Sequence, residues 1–460
     1  MRRARGTPAD VTSELPWLGL ILLTALSLRL LILIAIEPTP LAGDEPDYFQ
    51  RAARLATQGQ MSGVGERAPG NELFLAALFQ LFGVSTLVAR AGTAVLSALT
   101  VIPIYALGRQ LGGRRTGLAA AALAAAYPNF LAYSHYLWAE PLYVLLSCSG
   151  LALLGSRCGR PSLSSSAAAG LLLGAAALTR EVGLLFPVFG AAWLCFASRA
   201  EPRKAAARAG LFAATFAATI LPWTLHLNAA GGDFALVTRT AYMNLYIGNV
   251  EPRQVGGEGP EVGPSKSYWS LGRDRREAER AARVLALDAI ARRMPWWPAE
   301  KVVEQLPRFF TPTSFAVRRL LMARDAPEPD RSWSYRFRWQ GVDTRPIRWL
   351  LVGVVAAGYV AVSVAGVGGL ILARGSTAAG LLALFVVAQI LPTLITFASS
   401  RFRLASVAIL IAGAAVWMAR DESPWAAATP GRRRAAVVAM VVLAVVILHR
   451  YQDALQSTWG

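Results

Sequence analysis

Two adjacent carboxylates follow the first long apolar run of this sequence. Asp44 and Glu45 lie in the stretch LAGDEPDYF, shortly after the apolar run that extends from residue 17 to 36. An acid followed by proline is typical of a helix start, where the acid accepts a backbone hydrogen bond. Neighbouring side chains on a helix point about 100° apart, so both carboxylates cannot cap the same helix. One of them is predicted to face a cavity, where it could act as a general base.

A third acid and several arginines also stand where a membrane protein normally avoids charge. Charged side chains at membrane depth are costly, so they usually mark a functional site or a buried partner. A single charge can also have a simpler role: Arg180 could snorkel or pair with Glu181, and Glu140 could cap a helix. As a set, the charges favour an anion site, because arginine can hold a phosphate through two parallel hydrogen bonds. The arginines are Arg29, Arg90, Arg180, Arg401 and Arg403.

The elements that must position these residues are membrane spans. The chain has 460 residues, of which 55% are hydrophobic and only 16% are charged, well below the quarter or so that is charged in soluble domains. Several apolar runs reach the roughly 20 residues that cross a bilayer core. We predict an all-α polytopic membrane protein with about eleven transmembrane helices. They lie near residues 17–36, 87–108, 116–134, 137–155, 163–179, 182–198, 207–227, 348–373, 377–398, 402–420 and 434–449.

Charge and composition exclude several other classes of protein. The formal net charge is +18, but the basic residues recur in short clusters between apolar runs, which is typical of the positive-inside bias and not of a nucleic-acid partner. The three cysteines show no paired spacing, and there are only three histidines, so neither a disulfide framework nor a zinc site is predicted. We predict no metal; a divalent cation held by Asp44 with Glu45 or Glu140 is the alternative.

The loop charges also predict an orientation. A cytoplasmic N-terminus puts the arginine-rich short loops on one side of the membrane and leaves the outer loop 135–136 without arginine. Asp44 then faces outward. The chain is predicted to have three parts: an N-terminal transmembrane catalytic module (1–227, with the outer loop 37–86), an extracytoplasmic loop region (228–347) and C-terminal transmembrane helices (348–460).

Two stretches of the first outer loop are predicted to be amphipathic helices that lie along the membrane surface. The first runs from residue 46 to 58, where Tyr48 and Ala52 share an apolar face and Arg51 points the other way. The second runs from residue 71 to 82. Both would hold the outward carboxylates close to the membrane.

An ordered set of motifs runs from about residue 28 to 410. GDEPDYFQRAARL follows the first span, and ERAPGNELFLAALFQLFG precedes the second. YPNFLAYSHYLWAEPLY, ALTREVGLLFPV, LPWTLHLNAAGGDFALVTRTAYMNLYIGN and SSRFRLASVAIL come next. In this order the motifs resemble the GT-C glycosyltransferases. The most similar branch uses polyprenyl-phosphate sugars and includes protein O-mannosyltransferases, the lipid A aminoarabinose transferase and rhizobial core-sugar transferases.

The resemblance implies a GT-C fold and roles for the outward carboxylates. It implies that Asp44 acts as the base on the acceptor and that Glu140 helps to position acceptor or donor. Glu45, Tyr48 and His135 are further candidates for this positioning role.

The donor phosphate is expected to bind arginines. The resemblance matches Arg401 and Arg403 to the family's basic pair near the lipid phosphate. Arg90 and Arg180 are added to the phosphate-binding set because they lie near the outer membrane face.

These expectations together describe an inverting glycosyltransferase of the cytoplasmic membrane whose active site is extracytoplasmic. It would move a sugar from a polyprenyl-phosphate donor to a lipid, glycan or protein acceptor, in contact with membrane lipids and with no obligatory cofactor. One alternative is a transporter or flippase of lipid-linked sugars, although transporters tend to show two similar halves with broken spans. Another is a ligase or polymerase of lipid-linked glycans.

Overall fold

The computed structural model describes residues 14–35, 41, 43–156, 160–250, 266–312, 314–322, 345–373, 377–418 and 424–449. Within these residues the chain consists of helices, joined by turns and one isolated bridge between Val64 and Arg67. The predicted all-α class is confirmed. Residues 1–13, which carry part of the basic clusters behind the predicted orientation, lie outside the described residues.

Twenty α-helices and one 3-10 turn (Glu181–Leu185) are found in the part of the chain that the structure describes. The helices up to residue 229 are α1 (Leu15–Ala35), α2 (Glu45–Gln58), α3 (Gly70–Phe82), α4 (Thr86–Leu99), α5 (Val101–Gly112), α6 (Arg114–Ala126), α7 (Pro128–Tyr133), α8 (Glu140–Leu154), α9 (Leu163–Ala177), α10 (Phe186–Ala197) and α11 (Pro202–Ala229). Those that follow are α12 (Ala241–Asn249), α13 (Lys266–Trp269), α14 (Arg275–Arg293), α15 (Trp297–Phe309), α16 (Phe315–Met322), α17 (Arg345–Leu372), α18 (Thr377–Ile395), α19 (Leu404–Met418) and α20 (Pro430–His449).

The chain is a multi-pass membrane protein. Five helical segments of the described residues are long and apolar enough to cross a membrane: 15–35, 86–112, 202–229, 346–372 and 377–395. Other predicted spans coincide with shorter apolar helices, among them α8, α9 and α19. The number of eleven spans therefore stays a prediction.

The two predicted amphipathic helices of the first outer loop are α2 and α3. Pro46 lies in the first turn of α2, where its missing amide hydrogen is not needed, and Gly59 ends the helix in the left-handed region at a φ of 67°. The ring centres of Phe49 and Phe79 lie 5.1 Å apart, so the two helices pack directly against each other. The acidic pair Asp44 and Glu45 stands at the start of α2.

The expectation that Arg51 lies on a water-exposed face of α2, away from the apolar face, is wrong. Arg51 is buried, and its guanidinium contacts Asp47 one turn earlier in α2 and Glu66 from the loop that follows. The loop folds back over the side of α2 that helical periodicity assigns to solvent. The two carboxylates compensate the charge that this covering buries.

Helix α19 lies in the interior of the bundle and fixes the segment before it. Every residue from Leu404 to Val416 is buried, as expected for a helix that is apolar on all sides. Small residues allow a close approach to α17, because a Cβ atom on Gly366 would lie 2.5 Å from the carbonyl oxygen of Leu410. The position of α19 therefore determines where Arg401 is presented.

Helices α12 to α15 lie in the segment predicted to be extracytoplasmic. Tyr246 of α12, Tyr268 of α13 and Ala282 of α14 belong to a small hydrophobic core of their own. Lys301 of α15 donates hydrogen bonds to two carbonyl oxygens, that of Gly248 at 2.7 Å and that of Thr396, just after α18, at 2.8 Å. The predicted division of the chain into three parts stays a prediction.

Candidate active site

Asp44 lies between two arginines. Its Oδ1 accepts a hydrogen bond from Arg67 Nη2 at 2.7 Å, and its Oδ2 accepts one from Arg401 Nη1 at 2.8 Å. Asp44 stands at the N-cap position of α2 but its side chain makes no capping bond, so a capping role is wrong for this residue. Burial alone would raise the pKa of Asp44, but the charges and hydrogen bonds of Arg401 and Arg67 hold it well below its ordinary value.

Arg67 is held from three directions. Besides Asp44, its guanidinium donates to Asp47 Oδ2 and stacks on the ring of Tyr48, with 4.7 Å between the guanidinium carbon and the ring centre. Burial by itself would lower the pKa of Arg67, but the nearby Tyr48 and the carboxylate of Asp44 raise it above its ordinary value. Tyr48 is buried beneath this guanidinium, so the predicted site residue lies at the centre of the arrangement.

Glu140 and Arg180 form a second ion pair next to the first. Arg180 Nη1 donates to Glu140 Oε1, and Arg401 Nε lies 3.7 Å from the same oxygen. Arg401 therefore stands between Asp44 and Glu140. The N-cap position of α8 belongs to Ala139, so a capping role is wrong for Glu140 as well.

The alternative ion pair of Arg180 with Glu181 is also wrong. Glu181 Oε1 instead accepts a hydrogen bond from Asn244 Nδ2 at 3.3 Å. The guanidinium of Arg180 lies over the ring of Phe402, 4.7 Å from its centre, and that of Arg401 lies 5.4 Å from the same ring. Aromatic rings thus form one wall of the site.

Glu45 positions the neighbouring turn. Its Oε1 accepts a hydrogen bond from the backbone amide of Leu137 at 3.1 Å, and the Leu137 carbonyl accepts one from Asn71 Nδ2 at 3.0 Å. The first turns of α2 and α3 are thus tied to the segment that leads into Glu140. Glu45 is buried in this contact, which is a positioning role for the scaffold.

Arg403 points away from Arg401. It is buried, donates to the carbonyl oxygen of Thr311, and stacks on the ring of Tyr359 at 4.1 Å from the ring centre. The two arginines of the predicted basic pair therefore have different surroundings. Of these two arginines, Arg401 is the one whose described contacts include the carboxylates of Asp44 and Glu140.

Arg90 and His135 lie beside Arg29. Arg29 is fully buried and donates to Ser97 Oγ at 2.9 Å and to the carbonyl oxygen of Ala125 at 3.1 Å. Burial lowers the pKa of His135, and the charges of Arg29 and Arg90 lower it further. We call this group (Arg29, Arg90 and His135) the buried arginine cluster, and the group around Asp44 (Asp44, Arg67, Glu140, Arg180 and Arg401) the carboxylate–arginine cluster.

Sequence reasoning missed Arg67 and Asp47 as site residues. Asp47 follows the acidic pair by one helical turn, so its side chain lies on the same side of α2 as Asp44. Arg67 lies in the stretch ERAPGN, which belongs to one of the motifs that resemble the GT-C family. That resemblance was the only signal that could have identified it, because loop residues follow no periodicity.

The charged side chains of the site are better suited to bind an anion than a cation. Both carboxylate oxygens of Asp44 accept from arginine, so a cation bound there would stand beside two guanidinium charges. The described residues hold no group of three or more His, Cys, Asp or Glu side chains suited to a metal. This arrangement does not favour the alternative of a divalent cation, and the cofactor requirement itself stays a prediction.

Comparisons with known proteins agree with the fold and the motifs. A family model for dolichyl-phosphate-mannose-protein mannosyltransferases matches residues 66–225. No curated protein matches the chain in sequence.

Among solved structures, the chain is similar to the archaeal oligosaccharyltransferase AglB from Archaeoglobus fulgidus, in complex with an inhibitory peptide and a dolichol-phosphate. The TM-score is 0.54 and the identity 15%, over 97% of this chain and 56% of that one. The apo form of the Archaeoglobus fulgidus oligosaccharyltransferase gives a TM-score of 0.52 at 15% identity, over 96% of this chain and 55% of that one. This chain thus spans about half the length of the oligosaccharyltransferase.

ArnT from Cupriavidus metallidurans, bound to undecaprenyl phosphate, matches with a TM-score of 0.42 and 15% identity, over 87% of this chain and 77% of that one. The oligosaccharyltransferase matches, with the all-helical membrane architecture, show the fold. The chain is a multi-pass membrane protein of the GT-C fold, and its predicted resemblance to the GT-C glycosyltransferases is confirmed.

Proposed function

We propose that this protein is an inverting glycosyltransferase that takes a sugar from a polyprenyl phosphate. The observation that carries the proposal is the position of Arg401, which lies 2.8 Å from the carboxylate of Asp44 and 3.7 Å from that of Glu140. A carboxylate that can accept a proton thus stands directly beside guanidinium groups that can hold a phosphate.

The reaction needs one base and one stabilised leaving group. An acceptor hydroxyl or amine attacks the anomeric carbon of the donor sugar from the side opposite the phosphate, and Asp44 takes the proton from the attacking atom. The bond between the anomeric carbon and the phosphate oxygen breaks, and its electron pair leaves with the polyprenyl phosphate. Arginines offset the negative charge that grows on this phosphate in the transition state. A single displacement of this kind inverts the configuration at the anomeric carbon.

The donor class has support from the comparisons and from charge. The matching family model is that of the dolichyl-phosphate-mannose-protein mannosyltransferases, whose description names a lipid-phosphate sugar. One similar oligosaccharyltransferase structure carries a dolichol-phosphate. The carboxylate–arginine cluster adds three guanidinium groups beside the membrane helices, and we infer that they bind the phosphate of a lipid-linked sugar. Arg90 and Arg403 remain predicted members of this phosphate-binding set, and His135 remains a predicted positioning residue.

The side of the membrane follows from the loops. Basic short loops on the side of the N-terminus are typical of the cytoplasm. We infer that the cluster around Asp44 faces outward, and that the acceptor is a lipid, glycan or protein of the cell envelope. The protein would accordingly lie in the cytoplasmic membrane.

Exchange of Asp44 for Asn tests the proposal. The amide keeps the shape of the side chain but cannot take the proton, so we expect turnover to fall about 1,000-fold. The full-length protein in proteoliposomes is incubated with radiolabelled polyprenyl-phosphate mannose and envelope extract, and transfer of label to a new acceptor is measured.

Asp288→Asn is the matched control, because Asp288 is exposed on α14 and pairs with Arg292 on the same helix. It should transfer at the wild-type rate. Near-normal turnover of Asp44→Asn would remove the base role from Asp44. Label that crosses the membrane without forming a new bond would support the flippase, and transfer of a whole glycan would support a ligase.

A further inference from the structure

Helix α15 buries polar side chains and exposes apolar ones. Lys301 and Gln305, one turn apart, are each only 1% exposed, whereas Val302 and Val303 are 43% and 71% exposed. Trp296, at the N-cap position of the helix, is 72% exposed. A helix on the water-facing surface of a protein has the opposite distribution, with its apolar side towards the core. The side formed by Trp296, Val302 and Val303, which we call the apolar face of α15, is therefore better suited to lipid than to water.

The buried side of α15 is attached to the end of a membrane span. Lys301 Nζ donates a hydrogen bond to the carbonyl oxygen of Thr396 at 2.8 Å, and Gln305 Oε1 accepts one from the backbone amide of Ala398 at 2.8 Å. Both backbone groups closely follow α18, which is long and apolar enough to cross a membrane. Such a helix leaves the membrane at its last apolar residues, so α15 lies at a membrane surface.

The same side of α15 holds the segment that carries Arg401. Residues 396–403 form irregular chain and turns between α18 and α19. Ala398 is bonded to Gln305 on one side of Arg401. On the other side, Arg403 donates to the carbonyl oxygen of Thr311, shortly after the end of α15. An irregular segment takes its position from such contacts, so a shift of α15 would move Arg401 with it.

We propose that the apolar face of α15 is inserted into the lipid of the membrane surface at the end of α18, and that this insertion sets the depth of Arg401. Tryptophan and aliphatic side chains are favoured at the boundary between headgroups and acyl chains. Glu300 is exposed at the border of this face, in the first turn of the helix, where it stays among the headgroups. The role of Arg401 rests on the proposed function, because a polyprenyl phosphate presents its phosphate at headgroup depth. Gln305 is then a positioning residue that acts on the donor through Arg401.

Photocrosslinking tests which molecule covers the apolar face of α15. The full-length protein with Val303→p-benzoylphenylalanine is reconstituted in nanodiscs of phosphatidylcholine and phosphatidylglycerol and irradiated, and its adducts are identified by mass spectrometry. Leu31→p-benzoylphenylalanine is the positive control, because Leu31 is exposed on the apolar helix α1. Arg280→p-benzoylphenylalanine is the control for a water-facing position, because Arg280 is exposed on α14 next to the exposed charges of Arg276 and Glu277.

We expect phospholipid adducts at positions 303 and 31 and none at position 280. Phospholipid adducts at position 31 alone would overturn the insertion. Crosslinks at position 303 between two copies of the chain, in place of phospholipid adducts, would assign the face to self-association. Adducts at position 303 with co-purified polyprenyl lipid alone would assign the face to the donor, and either of these results overturns the proposal.

Binding of undecaprenyl phosphate tests the effect on Arg401. Its Kd is measured in the same nanodiscs for the wild type and four variants. A carboxylate opposes insertion, so Val303→Asp should bind at least about tenfold more weakly, a usual cost of a misplaced binding group, and Val303→Leu should bind as the wild type does. Gln305→Leu removes the acceptor of the Ala398 amide and should have a similar effect. Gln305→Glu keeps an acceptor oxygen one turn from Lys301 and should recover most of the affinity.

The outcomes separate this proposal from the proposed function. A wild type that does not bind undecaprenyl phosphate contradicts the proposed donor class, and the crosslinks still decide whether the apolar face of α15 meets lipid. A wild type that binds it, with an unchanged Kd in Val303→Asp and Gln305→Leu, overturns the link between α15 and Arg401 and leaves the donor class standing. Thermal unfolding of each variant is measured alongside, because a purely structural role for Gln305 would lower stability and leave the Kd of the folded protein unchanged.

Discussion

The two clusters of arginines in this protein are stabilised in different ways. In the carboxylate–arginine cluster, the described ion pairs join arginines to carboxylates, and Arg401 and Arg67 remain partly exposed, with 16% and 27% of their side chains accessible. In the buried arginine cluster, Arg29 is inaccessible, and its described hydrogen bonds go to a serine and to backbone carbonyls. An arginine paired with a carboxylate near solvent can exchange partners, whereas one that bonds to backbone carbonyls is part of the framework.

His135 reinforces this difference. It is fully buried, and neither ring nitrogen has a hydrogen-bond partner among the described residues. Two positive charges act on it, those of Arg29 and Arg90, and both favour the neutral imidazole. We expect Arg29 to matter mainly for stability and the carboxylate–arginine cluster mainly for turnover.

Among the arginines of the two clusters, the largest expected effect is that of Arg401→Gln on turnover. It removes a group that would offset charge on the leaving phosphate, and the loss of one such donor lowers turnover by about 100- to 1,000-fold. Arg401→Lys keeps the charge without the planar fork and should recover only part of the rate. Transfer of labelled sugar in proteoliposomes measures both variants.

The thermal unfolding of Arg401→Gln should stay close to that of the wild type, because Asp44 keeps Arg67 and Glu140 keeps Arg180 as ion-pair partners. A variant that transfers normally, or one that loses activity only because it has unfolded, would contradict the assignment of Arg401 to the site.

Exchange of Arg29 for Met should have the opposite effect, because it should lower stability and leave turnover nearly unchanged. Met fills the volume but leaves Ser97 and the carbonyl oxygen of Ala125 without their donor, so we expect a loss of about 2–3 kcal/mol in the free energy of unfolding. The folded fraction should turn over at nearly the wild-type rate. Denaturant titration in mixed micelles measures the first quantity, and transfer per folded molecule measures the second.

The control is Thr24→Val. Thr24 is exposed on α1, between one and two helical turns from Arg29, and its hydroxyl donates its described hydrogen bond to a carbonyl oxygen of the same helix. It should change stability little. Loss of turnover in Arg29→Met with unchanged stability would show that the two clusters do not divide the roles as we infer.

The helical architecture and part of the site could be predicted because both leave marks in the sequence. Apolar runs of span length fix the helices, and charges near such runs are rare enough to identify Asp44, Glu140, Arg180 and Arg401. The structure brings these four residues together. Asp44 and Arg401 are 357 positions apart in the sequence. Their proximity could be predicted because the loop charges place both residues on the same side of the membrane, and because both belong to motifs that resemble the GT-C glycosyltransferases.

The remaining contacts could not be predicted because they depend on tertiary packing. Helical periodicity assigned Arg51 to solvent, and only the fold of the following loop places Glu66 against it. The pair Arg401 and Arg403 was treated as one unit, yet residues two apart face in different directions, and Arg403 bonds to Thr311 instead. Sequence spacing gives the side of an element, and packing decides which neighbour covers it.

Glu72 is an intermediate case between the two clusters, and exchange for Gln should have the smallest effect. It lies buried in the first turn of α3, and its Oε1 has no hydrogen-bond partner among the described residues. Burial raises the pKa of Glu72 to about 6, the charge of Arg51 opposes this, and that of Asp47 adds to it. A carboxyl whose pKa is raised in the folded state stabilises the fold at low pH, and this contribution is lost as the pH rises from 4.5 through 6.

The pH dependence of stability therefore tests whether Glu72 belongs with the paired carboxylates. Glu72→Gln cannot ionise, so it should match the wild type near pH 4.5 and exceed it at pH 7.5 by at most about 2 kcal/mol, since one pKa unit corresponds to about 1.4 kcal/mol. Thermal unfolding at the two pH values measures the difference, with the exposed Glu300→Gln as a control that should show none. If Glu72→Gln is instead less stable than the wild type at pH 7.5, the ionised carboxylate has a favourable partner in the folded protein and belongs with Asp44 and Glu140. Equal stability at both pH values would mean that Glu72 is solvated well enough to titrate as it does in the unfolded chain.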